Sequence, residues 1–262
     1  MNRKSTLYVV LSLCVCLVCV SCGIHPRDKK GEETATVERK VRYFSKIQVE
    51  APCNVYYVQS DSLCVKVSGK RDRLSDLMTV HEGDLLIIRL KMFKNNFLIS
   101  GDEFSDMNVY VYSPDLTGVT LKSSGTFSAV RPVDTDVLSV ELTGSGNMSF
   151  DRVVCDNLSV ELKGSGNIEM DSVRGVTSSV SLLGAGNVKI NQYKFADSRF
   201  SLLGVGDIDA TFNDCNRVEC NLIGVGNMNL DGNVRNLLQN VKGTGSINTD
   251  NLKDTDNLKV TH

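Results

Sequence analysis

The chain has 262 residues, with 29 basic against 31 acidic side chains and no Trp. That length is enough for one large or two small β domains with a buried core. The mildly acidic balance excludes the basic face that nucleic-acid phosphates require, and an aromatic content of 6% leaves few large stacking platforms.

Residues 1–21 read as an export signal. Arg3 and Lys4 supply positive charge, and Leu7 to Val20 is apolar apart from Ser12. The run is too short to cross a bilayer as a helix. It ends in "CVSCG", which resembles a bacterial lipobox: Ser21 is the small residue before cleavage and Cys22 the lipid acceptor, with Cys19 where Leu is usual. The alternative is an ordinary secretory signal cleaved elsewhere. Two or three acyl chains on Cys22 would hold the chain stably on a membrane. The expectation is therefore an outer-membrane lipoprotein on the surface or periplasmic face. Residues 22–41, "CGIHPRDKKGEETATVERKV", carry almost no bulky apolar side chain and read as a polar tether.

Residues 42–115 are strand-like without a fixed register. "KIQVE", "NVYYVQ", "LCVKVSG", "LLIIRLK" and "NVYVYS" alternate or run apolar between turn signals such as "HEGD". They read as a cap or as irregular first coils, and Pro114 and Gly118 mark the junction. One stretch, "KMFKNNFLISGDEF" from Lys91, breaks the pattern. Phe93 and Phe97 there are either packed in a cap loop or form an exposed contact patch.

Residues 116–262 repeat. "LTGSGNMSF", "LKGSGNIEM", "LLGAGNVKI", "LLGVGDIDA" and "LIGVGNMNL" start at Leu142, Leu162, Leu182, Leu202 and Leu222. The paired glycines are Gly144/Gly146, Gly164/Gly166, Gly184/Gly186, Gly204/Gly206, Gly224/Gly226 and Gly243/Gly245; the second of each pair recurs at intervals of 20, 20, 20, 20 and 19. A weaker copy places Gly125 one step earlier. Apolar columns such as Leu142, Leu162, Leu182, Leu202 and Leu222 alternate with polar positions at period two, which is the mark of strands with one buried face. A short unit that cannot bury its own face must stack on its neighbours. The reading is an all-β parallel β-helix of about 20 residues per coil, right-handed by the general preference of parallel crossovers. The glycines then serve as corners between strands, where Gly reaches tight backbone angles without a Cβ clash. Asn147, Asn167, Asn187, Asp207 and Asn227 follow them as a structural ladder of stacked side chains, with Asp207 as its expected interruption.

At this point the sequence resembles the head GIN domain family of auto-transporter adhesins. The matching stretches are "FSKIQVEAPCNVYYVQSDSLCVKVSG" from Phe44, "GDLLIIRL" from Gly83, "VYSPDLTGVTLKSSG" from Val111 and the G-x-G-N series, covering about residues 42–262. The resemblance implies a β-helical envelope protein acting in adhesion, and it supplies no catalytic residues.

The remaining chemistry is sparse. No third glycine or Lys-Ser/Thr follows the motif as a phosphate loop needs, and the repeat lacks the regular Asp of calcium rolls. Of three histidines only His81 falls in the folded part, beside a predicted turn. Asp151, Asp171 and Asp231 form an outward column better explained by turns than by paired catalysis. Five cysteines, Cys53, Cys64, Cys155, Cys215 and Cys220, lack zinc spacing; whether Cys215 and Cys220 are bridged stays open. No cofactor, metal or catalytic residue is expected. The partners expected are the membrane through its lipid and an unidentified protein or glycan, with oligomerisation left open. A periplasmic or surface scaffold and a β-helical carbohydrate-active enzyme are the alternatives.

Overall fold

The computed structural model describes residues 33–91 and 104–256. Cys22, Phe93 and Phe97 lie outside these described residues. Within them every regular element is a strand, and the repeat stacks as parallel coils in register. Leu142 sits beside Leu162, Leu162 beside Leu182, Leu182 beside Leu202, and Leu202 beside Leu222. Each coil contributes one strand to a first face (Val137–Leu142, Asn157–Leu162, Thr177–Leu182, Asp197–Leu202) and, past the glycine corner, a strand to a second face (Asn147–Phe150, Asn167–Arg174, Asn187–Tyr193). A narrow third ladder joins Val133–Asp134 to Val153–Val154 and onward.

The period-two pattern explains the packing. On the first face Val140, Val160, Val180, Phe200 and Cys220 point inward and are buried, while on the second face Met148, Ile168, Val188, Ile208 and Met228 do the same. Burying an aliphatic side chain of this size contributes roughly 1.5–3 kcal/mol. Repetition in every coil makes one continuous core, from Phe44 to Val234. At one end aromatics extend it: Tyr57 and Phe127 lie 6.4 Å apart, and Phe127 and Phe150 5.7 Å apart.

A buried polar cluster interrupts the apolar columns. Gln192 takes the place that Val173 holds one coil earlier, and it is fully buried. Its amide donates to Ser178 Oγ at 2.8 Å and accepts from Ser198 Oγ at 2.7 Å. Those two serines stand in the column that Leu158 and Val218 occupy in neighbouring coils. All three substitutions therefore belong together, because an unpaired buried amide would carry its full desolvation penalty.

The first coils do not follow chain order. Lys46–Val49 and Asn54–Gln59 form a coil whose one side pairs with Gly118–Leu121 and Thr126–Ala129. Its other side pairs with Leu85–Leu90 and Asn108–Ser113, so the described residues 64–91 and 104–113 build outward at the rod end before the chain returns. Antiparallel strands finish that end: Cys64–Lys70 on Asn108–Ser113, Thr34–Arg39 on Cys64–Lys70, and Leu77–Glu82 on Leu85–Leu90. The segment thus supplies both irregular coils and a cap, and it covers an edge that would otherwise invite pairing.

One expectation changes. Composition extends the polar tether to residue 41, yet Thr34–Arg39 is a strand. Its backbone pairs with Ser68 and neighbours while most of its side chains face solvent, so composition gives no sign of it. His81 lies near the end of strand Leu77–Glu82, beside the turn at Gly83 and Asp84, as expected.

Candidate functional site

The glycine corner is the first candidate, and its geometry shows why glycine recurs there. A Cβ on Gly166 would run into the carbonyl oxygen of Gly146 in the coil before. Gly146 stands in the same relation to Gly125, and Gly186 to Gly166. The expectation that backbone angle selects glycine is therefore corrected: at most of these corners room sets the residue. Only in the later coils does φ add a second constraint, with 138° at Gly206, 146° at Gly226 and 153° at Gly245. Those three also lack room, since their Cβ atoms would meet the carbonyls of Gly186, Gly206 and Gly226.

The corner reading needs a second correction toward the far end. Gly226 and Gly245 lie inside the long strands Val225–Val241 and Thr244–Asp254, and are not breaks between strands. Their backbones pair directly with each other in a parallel ladder, so the chain bends there without leaving the sheet. Gly206 is intermediate. It precedes the strand Ile208–Leu222, and its N–H donates to the Val225 carbonyl at 3.1 Å.

Immediately after the corner the ladder forms. Asn167 Nδ2 donates to Asn147 Oδ1 at 3.0 Å, and Asn187 Nδ2 to Asn167 Oδ1 at 3.2 Å. Asp207 does not break the series. Its backbone N–H donates to Asn187 Oδ1 at 3.1 Å, and its own Oδ1 accepts from the Asn227 backbone N–H at 2.8 Å. Every rung hands a donor to the coil before it, so a carboxylate serves as an acceptor and only one side-chain donor is missing. The ladder also begins earlier than the repeat: Thr126 Oγ1 donates to Asn54 Oδ1 at 2.9 Å, and Asn54 is in register with Asn108. The shared "NVY" of "CNVYY" and "MNVYV" was the available signal.

Electrostatics on the outer faces include exposed pairs, both between coils and within one. Lys163 Nζ lies 2.9 Å from both Glu141 and Glu161, and Lys189 Nζ lies 2.7 Å from Glu169. Hydrogen bonds from Glu161 and Glu141 raise the Lys163 ammonium above its ordinary range. Arg199 lies 3.4 Å from Glu219, whose carboxyl is lowered by hydrogen bonds from Asn221 and Arg199. Exposed pairs of this kind fix register more than they add stability. Beside Arg199 and Glu219 a recess of about 480 Å³ opens over Ser178 and Ser198, where an apolar column gives way to serine.

The other sequence candidates are structural. His81 Nε2 accepts from the Arg42 backbone N–H at 3.4 Å and its ring rests 6.0 Å from Phe44; partial burial lowers its pKa. Asn191, between Asp171 and Thr211 in the outward column, donates to the Asp171 carbonyl at 3.0 Å. Cys215 and Cys220 are not bridged, and Cys53, Cys64 and Cys155 are free thiols too. Burial pushes the Cys53 and Cys220 thiols up to about 12. Among the described residues no group of His, Cys, Asp or Glu is placed to hold a metal ion.

Sequence reasoning overlooked one feature of the corner. The residues flanking the first glycine point outward, and in three consecutive coils they are apolar: Leu183 and Ala185, Leu203 and Val205, Ile223 and Val225. The signal was present, since "LLGAG", "LLGVG" and "LIGVG" differ from "LTGSG" and "LKGSG" only there.

These features define a class of protein, a parallel β-helix whose polar side chains stand in repeating columns on the outside of a filled core. Over residues 43–211 and 172–262 the chain matches the family described as "Putative auto-transporter adhesin, head GIN domain", and it belongs to that family. Among solved structures it is similar to a "putative adhesin" of Bacteroides fragilis, with 23% identity and a TM-score of 0.75 over 82% of this chain and 96% of that one. It is also similar to a "putative adhesin" of Parabacteroides distasonis (17% identity, TM-score 0.63, 83% and 97% covered). A third likeness is to a "putative lipid binding protein" of the same species (22% identity, TM-score 0.64, 82% and 96% covered). At these identities the structures bear on fold alone. No curated protein matches the chain.

Proposed function

We propose that this is a non-enzymatic lipoprotein of the cell envelope, anchored through Cys22, whose β-helical head binds a protein or glycan of a host or neighbouring cell. The observation that carries the reading is membership of an adhesin-head family across the whole rod, combined with a core that occupies the inward position of every coil. The side chains free to recognise anything are those of the outer columns, and a long regular face of small polar residues suits an extended surface. The "CVSCG" segment supports the anchor.

Radiolabelled palmitate should enter the wild-type chain and not Cys22→Ser; equal labelling would remove the anchor at that residue. Protease added to intact cells should release the head. Protection from protease would instead favour a periplasmic scaffold. Binding on a glycan or host-protein array should occur without turnover, and any release of reducing sugar would overturn the non-enzymatic reading.

A further inference from the structure

We propose that the head pairs with a second copy of itself through the apolar corner, edge to edge, with the two rods antiparallel. The six side chains Leu183, Ala185, Leu203, Val205, Ile223 and Val225 are exposed, the five larger ones by 42–57%. They stack in register, since Ala185 bridges Val205 and Val205 bridges Val225. The fold does not require apolar residues there. The same two columns hold Thr143 and Ser145 in one coil, Lys163 and Ser165 in the next, and Lys242 and Thr244 past the far end. An apolar patch with polar limits, on turns that accept polar residues, marks a contact.

Two arguments select the occupant. The patch is wholly aliphatic, so it offers no ring on which a sugar could stack. The charges at its two ends complement each other. Beyond Leu183 lies Lys163 held by Glu141 and Glu161, a cluster with one net negative charge (two carboxylates, one ammonium). Beyond Ile223 lies Lys242. A two-fold axis at Leu203 and Val205, perpendicular to the rods, sets Leu183 against the partner's Ile223 and the acidic cluster against the partner's Lys242. A parallel pair would set Lys242 against Lys242.

Three coils at about 4.8 Å span only about 15 Å, and two columns of that length cover far less than the ~800 Å² per partner of a stable complex. The pair is therefore weak, and suited to surfaces where many copies act together. Resting on the adhesin reading, there is a consequence for geometry. Thr34–Arg39, where the described chain starts, lies in the cap at one end of the rod. Antiparallel pairing puts the two caps at opposite ends, as two facing cell surfaces would need.

The test uses the chain from residue 22 with Cys22→Ser, because no core side chain among the described residues precedes Ala35. Sedimentation across micromolar to millimolar concentrations should show a monomer–dimer equilibrium. Leu203→Thr with Val205→Ser, which copies the polar turn at Thr143 and Ser145, should weaken it by about ten-fold or more. Lys242→Glu should weaken it several-fold. Under oxidation Leu183→Cys should cross-link to Ile223→Cys and not to itself, since Leu183 and its symmetry mate would lie about 10 Å apart along the axis, beyond disulfide reach. A chain monomeric throughout, a dimer indifferent to the double substitution, self-linking Leu183→Cys, or edge-dependent binding to anionic vesicles would each overturn the proposal. Beads coated with the head should cluster. Host or glycan binding by a chain that stays monomeric would overturn self-pairing and leave the adhesin reading standing.

Discussion

Gly166 and Asp207 belong to the same corner two coils apart, and they answer to different demands. Gly166 has no room for any side chain, because the carbonyl of Gly146 occupies the space a Cβ would take. Gly166→Ala must push two coils apart, and we expect it to cost about 2–4 kcal/mol. Gly83 is the control: its φ is 64° and nothing lies within 4 Å of its Cβ position, so Gly83→Ala should cost about 1 kcal/mol. Urea denaturation of both variants checks the ratio. Asp207 needs only an acceptor. Asp207→Asn keeps that acceptor and adds a donor toward Asn187, so its melting temperature should equal the wild type or exceed it by a degree or two. A loss of several degrees would mean that the ladder contributes nothing there.

Among elements, the strand Thr34–Arg39 carries only two apolar side chains, Ala35 and Val37, and has a large structural task. It pairs over its full length with Cys64–Lys70, and Arg39 Nη2 donates to the Leu74 carbonyl at 2.6 Å. A chain starting at residue 42 would leave Cys64–Lys70 as a bare edge with alternating apolar residues. We expect it to melt several degrees lower and to aggregate at concentrations where the chain from residue 22 stays in solution, as seen by size-exclusion chromatography. The opposite end has no comparable cover among the described residues. Thr244–Asp254 is largely exposed and carries Asp250, Lys253 and Asp254, charges that discourage edge pairing. Amide exchange should accordingly be fastest in residues 236–254 and slowest in the central coils.

For the whole molecule, the buried thiols set a limit on the alkaline side. Cys53 and Cys220 rise from 9.0 to about 12, Cys155 to about 11, and Tyr57 from 10.0 to about 12, all chiefly through desolvation. These groups ionise more readily in the unfolded chain. Stability they confer is intact below pH 9 and falls as pH rises from there toward 12. Urea midpoints measured from pH 7 to 11 should be level at first and then decline. Cys53→Ala with Cys220→Ala should flatten the decline, although each substitution lowers the starting stability slightly.

The sequence by itself determined the repeating part: the coil length, the inward columns such as Val140, Val160 and Val180, and the recurrence of the paired glycines with a polar residue after each. It could do so because each coil meets the next through the same backbone bonds and the same side-chain positions, so one physical constraint is written several times. Tertiary structure alone decided what happens once. The outward excursion of Cys64–Lys70, Leu77–Glu82 and Leu85–Leu90, the strand within the polar segment after Cys22, and the Ser178–Gln192–Ser198 network depend on pairings that no period announces. So does the passage of Gly226 and Gly245 into continuous strands, because identical glycines at Gly146 and Gly166 stay outside them. The direction of donation through Asp207 belongs with them, since an acceptor's role follows from which neighbour faces it and the residue name does not record that.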